Sequence, residues 1–145
     1  MASVVWEAMV MANERAGEVC INSESDIVMA RKIVREAAIA MGFGVTDVTR
    51  IVTAASELTR NVFRYAGSGV MRWRTLNAGE VVGLELTFED YGPGIPDIQR
   101  AMEAGYTTKG GLGLGLPGAK RLMDEMEIES EVRKGTRVTV KKWRR

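Results

Sequence analysis

The chain changes its hydrophobic period once, near Gly67 and Gly69, and that change limits its fold more than any other feature. Before it, apolar residues recur at helical spacing; beyond it they alternate. Asn22-Ser23-Glu24-Ser25-Asp26 supplies capping chemistry for a helix that carries Ile27, Ala30, Val34, Ala37, Ala38 and Met41 to a stop at Gly42. A second helix starts near Thr46 or Asp47, gathers Val48, Ile51, Val52, Ala55, Leu58 and Val62 on one face, and ends around Ala66-Gly67. Past the switch, Val82, Leu84, Leu86 and Phe88 alternate with Gly83, Glu85, Thr87 and Glu89, as in a half-buried strand. Val70 to Leu76 is its expected hairpin partner across Asn77-Ala78-Gly79-Glu80. Met126, Ile128, Ser130 and Val132 form a second hairpin with Val138 and Val140 around Lys134-Gly135. Gly17 to Ile21 reads as a short strand, and about Gly115 to Glu125 as a helix with Leu116, Ala119, Leu122 and Met123 as its stripe. Helices before and between antiparallel hairpins predict an α+β fold of two layers, a mixed, mostly antiparallel sheet with helices on one face.

Composition closes several chemistries. The chain has no histidine and a single cysteine, Cys20, which excludes a Ser-His-Asp triad, an imidazole base, His-ligated zinc and a disulfide framework. Twenty basic residues face 19 acidic ones, so there is no long-range pull toward nucleic acid or an anionic membrane. No apolar run approaches the ~20 residues of a membrane span. A soluble cytoplasmic protein is expected. Length favours one compact domain, residues 16–145, behind an extension, residues 1–15, whose apolar residues show no clean period and whose role is unassigned.

Chemistry therefore falls to carboxylates, amides, lysines or a bound metal. Glycine clusters twice: in Asp90-Tyr91-Gly92-Pro93-Gly94-Ile95-Pro96 where a strand runs out, and from Gly110 to Gly118. Such clusters permit close backbone approach to a ligand. Gly113, Gly115 and Gly118 match a dinucleotide fingerprint, but Tyr106 to Gly111 is not the buried strand that motif needs, and no Gly-Lys-Ser/Thr triplet makes a Walker A loop. Glu57 and Asn61, four apart, share one helical face. Taken alone this pair marks a solvated face, and Asp90 a turn. In order along the chain they make a series: Glu57-x-x-x-Asn61, Asp90-x-Gly92-x-Gly94, Gly111-x-Gly113-x-Gly115, Gly135-Thr136.

That series resembles the GHKL (Bergerat) superfamily of ATP-binding proteins, which includes histidine kinases, gyrase-type topoisomerases, the Hsp90 chaperone and bacterial anti-sigma kinases. Asp26 to Arg31, Gly42-Phe43-Gly44, Ser56 to Asn61, Asp90 to Ile98 and Gly113 to Glu125 are similar to the RsbT-type serine/threonine kinase of the bacterial stressosome, over about residues 17–144. The resemblance implies ATP and Mg²⁺ as cofactors. It implies that Asp90 accepts from the exocyclic amine of adenine, that Thr136 adds a contact on the same side, and that Gly92 and Gly94 keep Cβ atoms away from base and sugar. Asn61 is the implied Mg²⁺ ligand, a neutral oxygen suited to this hard ion. Gly111, Gly113 and Gly115 would turn backbone N–H groups to the phosphates, with Lys109, after Thr107 and Thr108, offsetting γ-phosphate charge. Glu57 becomes the catalytic general base.

The implied partners are STAS-domain scaffold and antagonist proteins of the stressosome, phosphorylated on serine or threonine, and a PP2C-type phosphatase that the released kinase activates. Two other readings share the site: an anti-sigma factor kinase that sequesters a sigma factor, and an ATP-binding switch without transferase activity. Lys141-Lys142-Trp143-Arg144-Arg145 reads as a charged strand end in preference to a nucleic-acid tail. Met29, Met41 and Met123 fit helical stripes as core filling, and Cys20 is expected as a small buried residue.

Overall fold

A computed structural model of the chain describes residues 15–103 and 115–145. The expectations for residues 1–14 lie outside that range, while Arg15 already pairs with the sheet, its N–H donating to Thr75 Oγ1 at 2.9 Å. Strand β1 (Ala16–Ile21) leads through Ser23 into helix α1 (Glu24–Ala40). There Asp26 Oδ2 accepts from the N–H groups of Asn22 (2.8 Å) and Ser23 (3.0 Å), satisfying amides at the helix entrance. Gly44 precedes helix α2 (Val45–Ala66), which closes on Gly67 at φ +80°, its N–H bonded to Phe63 O. A left-handed residue here suits glycine, and the chain turns into β2 (Gly69–Ala78) and β3 (Val81–Asp90). A short helix α3 (Ile98–Ala101), helix α4 (Gly115–Leu122), and strands β4 (Glu125–Glu131) and β5 (Gly135–Trp143) complete the order.

The five strands run β1-β2-β3-β5-β4. Every neighbouring pair is antiparallel, so the antiparallel character expected of the sheet extends to all its described pairs. Its inner face sends Ile21, Met71, Leu84, Leu86, Phe88, Val138 and Val140 against Val34, Ile51, Leu58, Val62 and Ala119 of the helices, all buried. The two layers are those predicted. The outer face is a cross-strand grid of charges: Arg72 joins Glu18 (3.0 Å) and Glu89 (3.2 Å), Arg137 joins Glu89 and Glu129, and Arg74 joins Glu85 (2.7 Å). Arg72 and Arg74, which interrupt the alternation in sequence, therefore sit on the solvated side of β2.

Three expectations change. Cys20 is exposed, because Val19 and Ile21 take the inward positions of this edge strand and Cys20 lies between them. Met29 is exposed on α1, whereas Met41 packs against the core and Met123 is buried. Helix α4 stops at Leu122 and not near Glu125, because Asp124 leaves the helix to accept from Trp143 N–H at 2.7 Å and Glu125 begins β4. The basic run at 141–145 is a charged strand end, as expected: Lys141 and Lys142 lie in β5, and Arg144 Nη1 donates to Met41 O behind α1.

Candidate functional site

Strand parity delivers the first polar group. Leu84, Leu86 and Phe88 point inward, and so does Asp90, at the end of β3 where the helical cover thins. Its partner across the sheet is Thr136, the second residue of β5, so two residues far apart in sequence become neighbours through register alone. Asp90 Oδ1 accepts from Gly92 N–H at 2.9 Å, an Asx-type turn that holds the carboxylate. Thr136 Oγ1 is 2.8 Å from Ser130 Oγ, which accepts from Ile95 N–H (2.7 Å) and donates to Gly135 O (3.0 Å). Arg133 N–H donates to Pro93 O at 2.7 Å. The loop after β3 is thus tied to the β4–β5 turn at several points.

Helix α2 supplies the other wall. Glu57 and Asn61 stand one turn apart, with Arg64 and Tyr65 a turn further on the same face. The Glu57 side chain is only 13% exposed, and Arg60 Nη1 donates to its Oε1 at 2.8 Å. At the start of α4, Gly115 and Leu116 close that end. These elements enclose a cleft of about 510 Å³, with Leu58, Val62, Phe88, Ile95, Pro96 and Val138 as apolar lining. The volume and the mix of apolar wall with few polar groups suit a ligand of nucleotide size.

Glu57, Asn61, Asp90, Gly94, Gly115 and Thr136 all line this cleft. Gly92 does not: a Cβ there would sit 2.6 Å from Ala66 Cβ, so its lack of a side chain serves the approach of the loop to α2, and its N–H serves Asp90. Gly94, at φ +77°, touches the cleft, yet a Cβ on it would strike the backbone of Glu131. Its freedom is needed for chain-to-chain contact more than for ligand clearance. Lys109, Gly111 and Gly113, with Thr107 and Thr108, lie outside the described residues. Sequence reading missed Arg64, Tyr65, Arg100 and Ser130. The first two were visible as the next turn on the Glu57–Asn61 face, and Ser130 as a polar residue at an inward position of β4; Arg100 sits on α3, too short to leave a periodic signal.

Among the described residues no three His, Cys, Asp or Glu side chains gather as a metal site. The donor set of the cleft, one neutral amide at Asn61 beside the Glu57 carboxylate, fits a small hard ion held mainly by a ligand's own oxygens and water.

Residues 46–145 match the model of the histidine kinase-, DNA gyrase B-, and HSP90-like ATPase family. The chain belongs to that family. Its RsbT-type kinase branch is marked by the serine/threonine-protein kinase RsbT of Bacillus subtilis (strain 168), which is 49% identical over 125 residues, 86% of this chain and 94% of that protein. This member of the family is accordingly an enzyme of the protein serine/threonine kinase class. The anti-sigma F factor of Geobacillus stearothermophilus is 37% identical over 66% of this chain and 69% of that protein. Among solved structures, the RsbU and RsbW domains of Rv1364c from Mycobacterium tuberculosis superpose with a TM-score of 0.57 at 20% identity, over 89% of this chain and 33% of that one. The mycobacterial sensor histidine kinase MprB superposes at 0.54 with 17% identity, over 90% of this chain and 99% of that one. At such identities the likeness is one of fold, and it is the α+β fold predicted here.

Proposed function

We propose that this RsbT-type kinase phosphorylates a serine or threonine of a STAS-domain protein of the stressosome, using Mg²⁺-ATP, and that the released kinase then binds and activates a PP2C-type phosphatase. The observation that carries the reading is the meeting of Glu57 and Asn61 with the Asp90–Thr136 pair in one cleft. In this reading Asp90 and Thr136 hold the adenine edge, a charged hydrogen bond of the Asp90 kind contributing about 1.5–3 kcal/mol. Asn61 holds the Mg²⁺, and Gly115 at the head of α4, with Gly111 and Gly113 before it in sequence, takes the phosphates together with Lys109. Bound Mg²⁺-ATP supplies the transferable phosphoryl group and the charge neutralisation its transfer needs. Glu57, oriented by Arg60, accepts the proton of the attacking hydroxyl as its oxygen bonds to phosphorus and the bond to the departing ADP oxygen breaks. A carboxylate suffices because phosphoryl transfer depends more on positioning than on a strong base, so the lack of histidine is no obstacle.

The domain, residues 16–145, acts as one unit in this reading, in the cytoplasm and without nucleic-acid or membrane partners. No helix among the described residues is long and apolar enough to cross a membrane, and Lys142 and Arg144 of the basic run are engaged within the fold. The likeness to an anti-sigma F factor supports a second reading, in which the chain sequesters a sigma factor as well as binding ATP. Incubation with labelled ATP, Mg²⁺ and a STAS-domain partner, beside Glu57→Ala and Asp90→Asn, separates the two. Label on a STAS serine or threonine that Glu57→Ala abolishes supports the kinase of the stressosome. ATP binding with no labelled STAS protein, and retention of a sigma factor, supports the second.

A further inference from the structure

Lys142 occupies a position that strand alternation reserves for an apolar side chain. β5 turns Thr136, Val138, Val140 and Lys142 to the inner face, and Lys142 is only 8% exposed. Its ammonium donates to Leu122 O, the last carbonyl of α4, at 3.1 Å, and lies 3.5 Å from Asp124 Oδ1 and 3.8 Å from Asp47 Oδ1. Leu122 ends α4, Asp124 sits in the turn behind it, and Asp47 belongs to the first turn of α2. One buried cation thus ties β5, the foot of α2 and the carbonyl end of α4, where helix polarity favours positive charge. The far end of α4 is the cleft wall at Gly115 and Leu116, and the far part of α2 carries Glu57 and Asn61.

We infer that Lys142 is a positioning residue that sets the distance between the head of α4 and Asn61, and through it the grip on the phosphates. The inference rests on the nucleotide reading of the cleft. Helix α4 has eight residues, about 12 Å at 1.5 Å each, and is packed through Pro117, Gly118 and Ala119, so as a short rigid element it would carry a shift at its carbonyl end to its head. The lysine is poorly explained by stability. Burying an ammonium is costly, and removing one partner of a buried ion pair costs stability chiefly where the other charge is left unpaired. Its acidic neighbours keep other partners without it: Asp47 accepts from Arg50 at 3.1 Å, Asp124 Oδ2 accepts from Trp143 N–H, and Arg145 stands 3.8 Å from Asp124.

The test is calorimetric titration of wild type, Lys142→Met and Asp47→Asn with ATP and, separately, adenosine, Mg²⁺ present throughout, alongside melting curves. Lys142→Met is expected to melt within about 3 °C of wild type, to bind adenosine unchanged, and to bind ATP roughly tenfold more weakly. Asp47→Asn, which loosens only the α2 arm, is expected to shift ATP in the same direction by a smaller factor. Equal losses for ATP and adenosine, no loss for either, or a large drop in melting temperature would make Lys142 an ordinary structural residue and overturn the inference. If wild type binds neither ligand, the nucleotide reading itself fails and the inference falls with it.

Discussion

The two ends of the cleft are built differently. At the Asp90 end the polar groups are fixed by backbone: Asp90 and Thr136 face each other through strand register, Gly92 N–H holds the carboxylate, and Ser130 ties Thr136 to Ile95. At the other end Glu57 and Asn61 project from a helix surface, Glu57 is oriented by Arg60, and the head of α4 is held by side-chain packing, with Leu116 against the core and Pro117, Gly118 and Ala119 buried. In the proposed reading, recognition falls to groups fixed by hydrogen-bonded main chain, and chemistry to side chains on packed helices. Substitutions at the two ends should accordingly separate affinity from turnover.

The largest effect is expected from Glu57→Gln, which keeps the shape but removes the proposed base. Its kcat should fall by about 10²–10⁴ while ATP affinity stays within a few-fold, and an equal loss of both would erase the distinction between the ends. Asp90→Asn should do the reverse, weakening ATP binding by roughly 10–100-fold with turnover at saturation largely kept. Ser130→Ala removes the hydroxyl that joins Thr136 to the loop, so ATP affinity should drop by about fivefold and stability by about 1 kcal/mol, read by titration and melting. A drop in kcat alone would show that this network reaches the catalytic end.

Two smaller effects belong to neither end and serve as controls. Thr59 is fully buried, and its hydroxyl has no hydrogen-bond partner among the described residues. Thr59→Val should raise stability by about 1 kcal/mol with ATP affinity and kcat unchanged. Asp26, at the head of α1, titrates below the ordinary carboxylate range because its charged form accepts from the backbone of Asn22 and from Ser23. A lowered folded value means a stabilisation present above the unfolded value and lost as pH falls through the folded one. The melting-temperature gap between wild type and Asp26→Asn should therefore be open at neutral pH and close below about pH 4, without any effect on phosphoryl transfer.

Much of this was legible in the order of residues. Long helical stripes, the alternation from Val82 to Phe88, and the hairpin around Gly79 are local patterns, and local patterns dictated these elements. The spacing of Glu57 and Asn61 and the place of Asp90 at a strand end were equally visible. What escaped depends on tertiary neighbours. Cys20 sits on a strand with only two buried side chains, too few to tell which face is inner. The end of α4 is decided by Asp124 and Lys142, whose partners lie on another strand or helix. Gly92 and Gly94 advertise a need for close approach, but not to what; they are met by Ala66 and by the Glu131 backbone. Ser130 gains its role only when the β4–β5 turn docks on the loop after β3.

The pairing of Asp90 with Thr136 has a consequence for how errors in folding would be felt. Side chains on a strand have only two faces, so a slip of one residue between β3 and β5 would swing one of the two to the charged outer surface while the other stayed inside. The end of the cleft proposed to hold the base would then lose one of its two polar groups outright. Nucleotide affinity in this protein is therefore also a parity check on its central strands, reporting an even shift from an odd one more sharply than any measure of secondary-structure content.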